Sequence, residues 1–366
     1  MKICILSDSH FGARNDSQAM QVSMRKFYEH ILFPTIKEQG ITRVIHAGDF
    51  YDRRKYINGG TAHFVNEVYD APMRELGVFQ DILLGNHDIY YRSSTEVSLV
   101  EELYRHASDR VRVHSHPTEI TIDGCDVLLL PWITDNNKQD AMRYITDSTC
   151  SVVVGHLAIA GFQMHRGLTN NEGLEASLFD RFELVMSGHY HHKSHQRPIC
   201  YLGAMYPMIW SDYQDSRGFH IFDTETHGLT YIENPHSLFV KILYADAGEK
   251  HDYIKKLAQD ILAPDSPYHD AYVKVFVKSK TQPYWFDVMM DCLYKVNVQD
   301  VLVIDDIIVD DADEAESTSI PDIDTLTLMR EYIDTLSISC DKDELFAYLR
   351  EKYHDAVAAT TSARLS

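Results

Sequence analysis

Apolar residues in the first two thirds of the chain fall into short unbroken runs separated by stretches of helical spacing. Ile3 to Leu6, Ile82 to Leu84, Val127 to Leu130, Val152 to Val154 and Leu184 to Met186 are too short for helices and do not alternate with polar residues. That is the pattern of strands buried on both faces. Between them, Met20, Met24, Phe27, Tyr28 and Ile31 recur at helical spacing, predicting a helix over 17–39 with Asp16 or Ser17 as its cap and Gly40 as its stop. A second helix over 61–76 carries Phe64, Val65, Val68, Tyr69 and Leu76, and Pro72 inside it predicts a kink or a division. A third is expected over 94–106 from a Ser-Thr cap. Residues 118–132 read as a hairpin turning at Asp123-Gly124, and strands at 199–203 and 218–223 close a first domain of residues 1–235. The alternation predicts an α/β class: a pair of sheets wrapped by helices.

Residues 236–304 change register: strand 239–244, helix 249–262, strand 272–278, helix 284–296, strand 300–304, a small α/β domain. Residues 305–324 then contain nine acids and no base, so 305–321 reads as an acidic linker. A helical pair follows over 322–358. Ile323, Leu326, Met329, Tyr332, Ile333 and Leu336 line its first member, and Asp341 with Glu344 opens the second. Such a face must be covered, either by the chain's own body or by another protein.

Charge narrows the partners. The 366 residues carry a net charge of −21, of which −9 falls in residues 1–240 and −12 in the remaining 126. Such a chain is a poor candidate for non-specific nucleic-acid binding through bulk charge, so a polyanionic substrate would need metal ions, local basic spots or a partner to attract it. Six scattered cysteines without a Cys-x-x-Cys pair predict free thiols in a reducing cytosol. The N-terminus lacks a signal-peptide core and no apolar run approaches a membrane span, so a cytoplasmic protein without membrane attachment is expected.

Five of the strand-like runs end on side chains that ligate metals: Asp8 and His10, Asp49, Asn86 with His87 and Asp88, His156, and His189 with His191. In α/β sheets, ligands collect at the carboxyl ends of strands, so five such endings point to one shared site. A lone histidine such as His46 or His63 is better read as a core or surface residue. Asp8, His10, Asp49, Asn86, His156, His189 and His191 mix carboxylate, amide and imidazole without thiolate, which suits Mn(II), Fe(II) or Zn(II). Seven donors are too many for one ion and fit two, with Asp49 as the bridge. Two such ions activate a water for in-line attack on phosphorus, so phosphate-ester hydrolysis is the expected reaction. His87 is placed to hydrogen-bond a non-bridging oxygen or to protonate the leaving group, with Asp88 expected to orient its other nitrogen. Arg53 and Arg54 are the leading candidates for phosphate contacts, and the DNA-binding candidates if the polyanion is DNA, with Lys55, Arg14, Lys193 and Arg197 in further loops.

The ordered motifs Asp8-x-His10, Gly48-Asp49-x-x-Asp52, Gly85-Asn86-His87-Asp88, Gly155-His156 and Gly188-His189-x-His191 resemble those of the calcineurin-like metallophosphoesterase superfamily over about residues 1–235. Within it, the chain looks like the nuclease subunits of SbcCD-type DNA double-strand-break repair complexes, and most like the recombination endonuclease subunits of tailed phages. Pro131-Trp132, Tyr201-Leu202-Gly203 and the stretch from Arg217 to Glu225 support this. The resemblance implies a four-layer sandwich of two mixed sheets flanked by helices, a small α/β DNA-capping domain and a C-terminal helical tail. It implies one metal held by Asp8, His10, Asp49 and His191, and a second by Asp49, Asn86, His156 and His189. Mn(II) is the metal expected, with Mg(II) as the alternative in the cell. It also implies a homodimer, DNA as substrate, an ABC-type coiled-coil ATPase bound through the terminal helices, and the cytoplasm of a phage-infected bacterium as the setting. Cellular relatives often carry histidine where Asp52 stands; Asp52-Arg53 resembles the corresponding phosphatase motif. A protein or small-molecule phosphatase on the same fold is therefore the competing reading, with a scaffold bearing a vestigial site as a third.

Overall fold

A computed structural model describes residues 1–105, 109–165, 168–305, 342 and 345–346. The expected helical pair at 322–358 and nearly all of the acidic linker lie outside the described residues. Residues 1–307 form one compact unit.

Two six-stranded mixed sheets make the body of that unit. In spatial order, the first contains Leu229–Glu233, Gly218–Asp223, Lys2–Leu6, Arg43–His46, Phe79–Leu83 and Val111–His114; the second contains Ser194–Gln196, Ile199–Tyr201, Leu184–Gly188, Val152–His156, Cys125–Leu130 and Thr118–Ile122. The four strands from Lys2 to His114 run parallel to one another, as do the four central strands of the second sheet. Strand periodicity explains the unbroken apolar runs. Ile3 and Ile5 of the first strand face the second sheet, where they meet Val127, Leu129, Val152 and Val154. Cys4 and Leu6 face the other way, onto helix residues Met20, Met24, Phe27, Phe64 and Tyr69. Leu128, Leu130, Val153 and Val185 likewise turn outward onto Ile145 and Phe179. The layers are thus helix, sheet, sheet, helix, and each central strand is apolar on both faces because each face is covered. The five described cysteines are free and buried within these layers and the smaller core described below.

The helix expected over 17–39 is present as Gln18–Phe27, a π turn Tyr28–Leu32 and Phe33–Glu38, with Ser17 accepting from the Met20 N–H. Pro72 does not divide the second helix. Gly59–Val65 runs through a π turn, Asn66–Asp70, into Ala71–Glu75 with right-handed helical backbone at both junctions. Pro34 stands in the same relation to the first π turn. A proline ring collides with the carbonyl four residues back, and the wider turn moves that carbonyl aside. The expected helix over 94–106 is corrected at its start. Ser94–Ser98 is a strand paired with Ile89–Tyr91, and the helix is Leu99–Tyr104, capped by Ser98 on the Glu101 N–H at 3.4 Å. Thr95 and Ser98 are buried while Glu96 and Val97 are exposed, a pairing requirement that propensity alone does not reveal.

Phe239–Ala245, Tyr272–Ser279 and Asp300–Asp305 form a parallel three-stranded sheet, and the helices His251–Leu262 and Pro283–Lys295 share a separate core with it. Arg14 joins this sheet to the first part, its guanidinium 4.8 Å from the Tyr272 ring centre and 5.6 Å from that of Phe239. No helix among the described residues is long and apolar enough to cross a membrane.

Because Ile45 is fully buried between the sheets, Ile45→Ala should cost about 2–5 kcal/mol. Leu243→Ala, at a side chain 58% exposed, should stay within about 0.5 kcal/mol. Urea unfolding monitored by circular dichroism separates the two.

Candidate metal centre

The carboxyl ends of parallel strands from both sheets converge, and every candidate ligand sits there. Asp8 and His10 follow Lys2–Leu6, Asp49 follows Arg43–His46, Asn86 follows Phe79–Leu83, His156 ends Val152–His156, and His189 and His191 follow Leu184–Gly188. The loops are stitched together by backbone bonds from Asp8 N–H to Gly48 C=O at 3.1 Å and from His10 N–H to Asp49 C=O at 3.0 Å. His189 N–H reaches across from the second sheet to the Asp8 carboxylate at 3.2 Å. Only glycine fits at position 85, where a Cβ would overlap the backbone and carboxylate of Asp49. Four of the seven candidate ligands, Asp8, His10, Asp49 and His189, adopt positive φ between 43° and 87°. Non-glycine residues rarely adopt this conformation, and it persists where surrounding bonds over-determine it.

The donor atoms fall into overlapping triads: Asp8, His10 and His191; His10, Asp49 and His87; and Asp49, His156 and His189, each with ligand atoms within 4.8 Å of one another. Asp49 Oδ2 lies between the outer two, 3.5 Å from His10 Nε2 and 3.4 Å from His156 Nε2. Asn86 joins through Oδ1, 3.1 Å from His156 Nε2. All seven candidate ligands are thus brought together. His156 Nδ1–H donates to the Ala47 carbonyl at 2.7 Å, which leaves Nε2 free to ligate. His10 Nε2 faces His191 Nε2 at 3.1 Å. Trp132 packs on the far side, its ring centre 4.8 Å from that of His189 and 5.9 Å from that of His156.

The electrostatics call for cations. Asp8 and Asp49 are almost wholly buried and have no lysine or arginine ion pair among the described residues. Burial raises the Asp8 carboxyl pKa, with the nearby Asp49 charge adding to it. At Asp49 burial also pushes upward, but His156, His10 and His87 outweigh it and hold the carboxyl well below the usual range. Burial opposes charging His10, yet Asp52, Asp49 and Asp8 raise it to about 9; Asp49 and Asp8 do the same for His156. His189 goes the other way, to about 3, through burial and the neighbouring His156 charge. Buried carboxylates balanced only by imidazoles, with nitrogens turned toward one another, fit divalent cations. The donor set and the fold both imply such ions.

His87 and Asp88 depart from expectation. The Asp88 carboxylate accepts the N–H groups of Phe50, Tyr51 and Gly85 at 2.8–3.1 Å and does not meet the His87 ring. Asp88 therefore ties the Asp49 loop to the Asn86 loop. The His87 partner is the Asp52 carbonyl, 2.7 Å from Nδ1, while its own N–H donates to Asp49 Oδ1 at 2.8 Å. The Asp52 carboxylate in turn lies 3.4 Å from His10 Nδ1, so one residue steers two histidines. That role was missed in the sequence, where Asp52 stood out only as a motif position.

Arg53 is engaged with Asp16 and Asn15, both at 2.7 Å, and this bracing departs from its expected availability for DNA. Arg54 remains half-buried and close enough to Asp49 to feel its charge. Lys193 lies over Tyr231 and Arg14 between the two parts of the unit; Lys55 sits beside Tyr90, and Arg197 is exposed. His46 is a buried core histidine paired with Ser9, as its lone position predicts.

With the neighbouring carboxylates raising His10 and His156 to about 9 against burial, a cation bound by these imidazoles would displace their protons. Affinity for Mn(II) should rise from pH 6 toward 9, with proton release on binding. Calorimetry in buffers of different ionisation enthalpy measures both, and a pH-independent affinity would show that these imidazoles are not ligands.

Comparison with known proteins places this geometry. The family model of calcineurin-like phosphoesterases matches residues 1–193. Exonuclease subunit 1 of Enterobacteria phage T4 is 29% identical over 362 residues, covering 97% of this chain and 99% of that protein. A subunit of the nuclease SbcCD from Staphylococcus saprophyticus is 24% identical over 63% of this chain and 67% of its own length. Among solved structures, a novel archaeal phosphodiesterase aligns at 16% identity over 64% of this chain and all of that one, with a TM-score of 0.34. With the family model covering more than half of its length, the chain belongs to the calcineurin-like phosphoesterase family.

Proposed function

We propose that the protein is a metal-dependent DNA nuclease, an exonuclease and endonuclease subunit of an ATPase-coupled double-strand-break repair and recombination complex. The observation that carries this reading is the set of overlapping donor triads gathered around Asp49, in a chain aligned along nearly its whole length with a phage exonuclease subunit. Asp8, His10, Asp49 and His191 would hold one divalent ion, and Asp49, Asn86, His156 and His189 the other, with Mn(II) the metal we favour and Mg(II) the cellular alternative. Bound there, such ions supply Lewis acidity: they neutralise phosphate charge and lower the pKa of water. The chain's own residues do the rest. His87 has Nδ1–H anchored on the Asp52 carbonyl, which leaves Nε2, when the ring carries both protons, to deliver one to the leaving oxygen or to hydrogen-bond a non-bridging one. Asp88 and Gly85 fix the spacing of the two ligand loops. Arg54 supplies positive charge beside the cluster for the flanking phosphate. Residues 236–304 act as a DNA-capping domain, residues 322–358 dock an ABC-type coiled-coil ATPase, and two copies pair as a homodimer in the cytoplasm of the infected cell. The phosphatase reading gains no support from relatives that are named as nucleases.

His87→Ala should slow Mn(II)-dependent cleavage of DNA about 10²–10⁴-fold with metal content unchanged, whereas His156→Ala should lose bound metal. Metal analysis alongside nuclease kinetics distinguishes them, and rapid turnover of phosphoprotein with no DNA cleavage would overturn the assignment. Removal of residues 322–366 should abolish co-purification with the ATPase while cleavage of small phosphodiesters persists.

A further inference from the structure

Where the first part of the compact unit meets its small α/β part, the surface holds a cleft of about 580 Å³. Three separate stretches wall it: residues 19–30 of the helix that starts at Gln18, the connection at 235–238, and the loop at 264–270 that leads into Tyr272–Ser279. None of its lining residues belongs to the candidate metal centre. The volume is that of a small-molecule site, in which apolar walls are joined by a few polar groups.

Those polar groups carry both signs. His30 and His236 meet edge to face, ring centres 5.8 Å apart, and Lys26 lines the same wall. Burial, with the charges of His30 and Lys26, holds the His236 imidazole below its usual pKa, as expected where positive groups crowd without an anion between them. His236 Nε2 is buried and has no hydrogen-bond partner among the described residues, a condition that calls for an explanation in a folded protein. The Lys26 ammonium reaches Asp270 only at 3.7 Å, while Asp270 is held independently by the Asn297 amide at 2.9 Å. Lys26 can therefore turn to a ligand without stranding that carboxylate. Asp265 adds a second, exposed acid, and the exposed Pro235, Pro264 and Pro267 present apolar surface.

A bare anion would answer the cations but would be repelled by Asp265 and Asp270 and would leave the prolines uncovered. An uncharged ring would leave Lys26 and His236 unanswered. One molecule satisfies every wall if it carries an anionic group at one end, O–H or N–H donors in its middle and a flat ring at the other. We propose that this cleft binds a nucleoside monophosphate, with its phosphate on Lys26, His30 and His236, its hydroxyl or ring N–H groups on Asp265 and Asp270, and its base against the prolines. Such a ligand touches both parts of the unit, so its binding ties the small α/β part to the first. The inference goes beyond the nuclease reading and uses no residue of the metal centre.

The test is isothermal titration calorimetry on the full-length protein in EDTA, which keeps metal ions from capturing phosphate. The ligands are the four deoxynucleoside 5′-monophosphates, inorganic phosphate and thymidine. At least one nucleotide should bind with one site per chain, and phosphate and thymidine should each bind about tenfold more weakly or worse. Lys26→Ala with His236→Ala should weaken nucleotide binding about tenfold or more, whereas Asp265→Asn should weaken the nucleotide without weakening inorganic phosphate. Hydrogen exchange on the wild type needs no variant: bound nucleotide should slow it in residues 19–30, 235–238 and 264–270. A wild type that binds none of the four nucleotides, phosphate binding as tightly as the best of them, full binding by the Lys26/His236 variant, or protection confined to other segments would each overturn the proposal.

Discussion

The structure depends on two carboxylates, Asp8 and Asp49, buried at the meeting point of the two sheets with no lysine or arginine ion pair among the described residues. Removing such charges from water costs several kcal/mol each unless cations or hydrogen bonds compensate. Here the compensation comes from histidines whose nitrogens point at the same space. The result is a site whose electrostatics are completed by added positive charge, and the surrounding protein is built to hold it in that condition. The positive φ angles of Asp8, His10, Asp49 and His189 are part of the same construction. Strained turns at strand ends aim side chains inward that a relaxed loop would turn to solvent.

What resists collapse of the site is the double sheet. Each ligand loop leaves a strand buried on both faces, so its starting point is fixed by two layers of packing. Cross-links then set the spacing between loops: Asp8 on Gly48, His189 on Asp8, and Asp88 on Phe50, Tyr51 and Gly85. Asp88 illustrates how a carboxylate next to a histidine at the site can be structural. Its burial raises its pKa to about 6 even though three backbone donors favour the charged form. Asp52 reverses the case: its backbone carbonyl, which no motif encodes, carries the contact to His87.

Charge is distributed to the same end. The chain as a whole repels polyanions, while positive groups near the cluster are few and mostly occupied, Arg53 by Asp16 and Asn15 and Arg14 by aromatic rings. Positive charge is thereby concentrated at the histidine-rich donor cluster and at Arg54 beside it, so an anion would be drawn there rather than elsewhere.

The sequence by itself determined which side chains gather at the candidate site, because strand ends and apolar runs are local patterns: five runs ending on Asp, Asn or His needed no knowledge of neighbours. It also determined the alternation of the second α/β part to within a few residues at each end, since amphipathic period is local. Tertiary structure alone decided the hydrogen-bond partners, for these join atoms from distant stretches: Ala47 for His156, Asp52 for His87, Asp16 for Arg53. It also decided that Ser94–Ser98 pairs as a strand and that π turns carry two helices past Pro34 and Pro72. Local propensity is silent on such choices because a carbonyl's usefulness depends on what folding brings within about 3 Å of it.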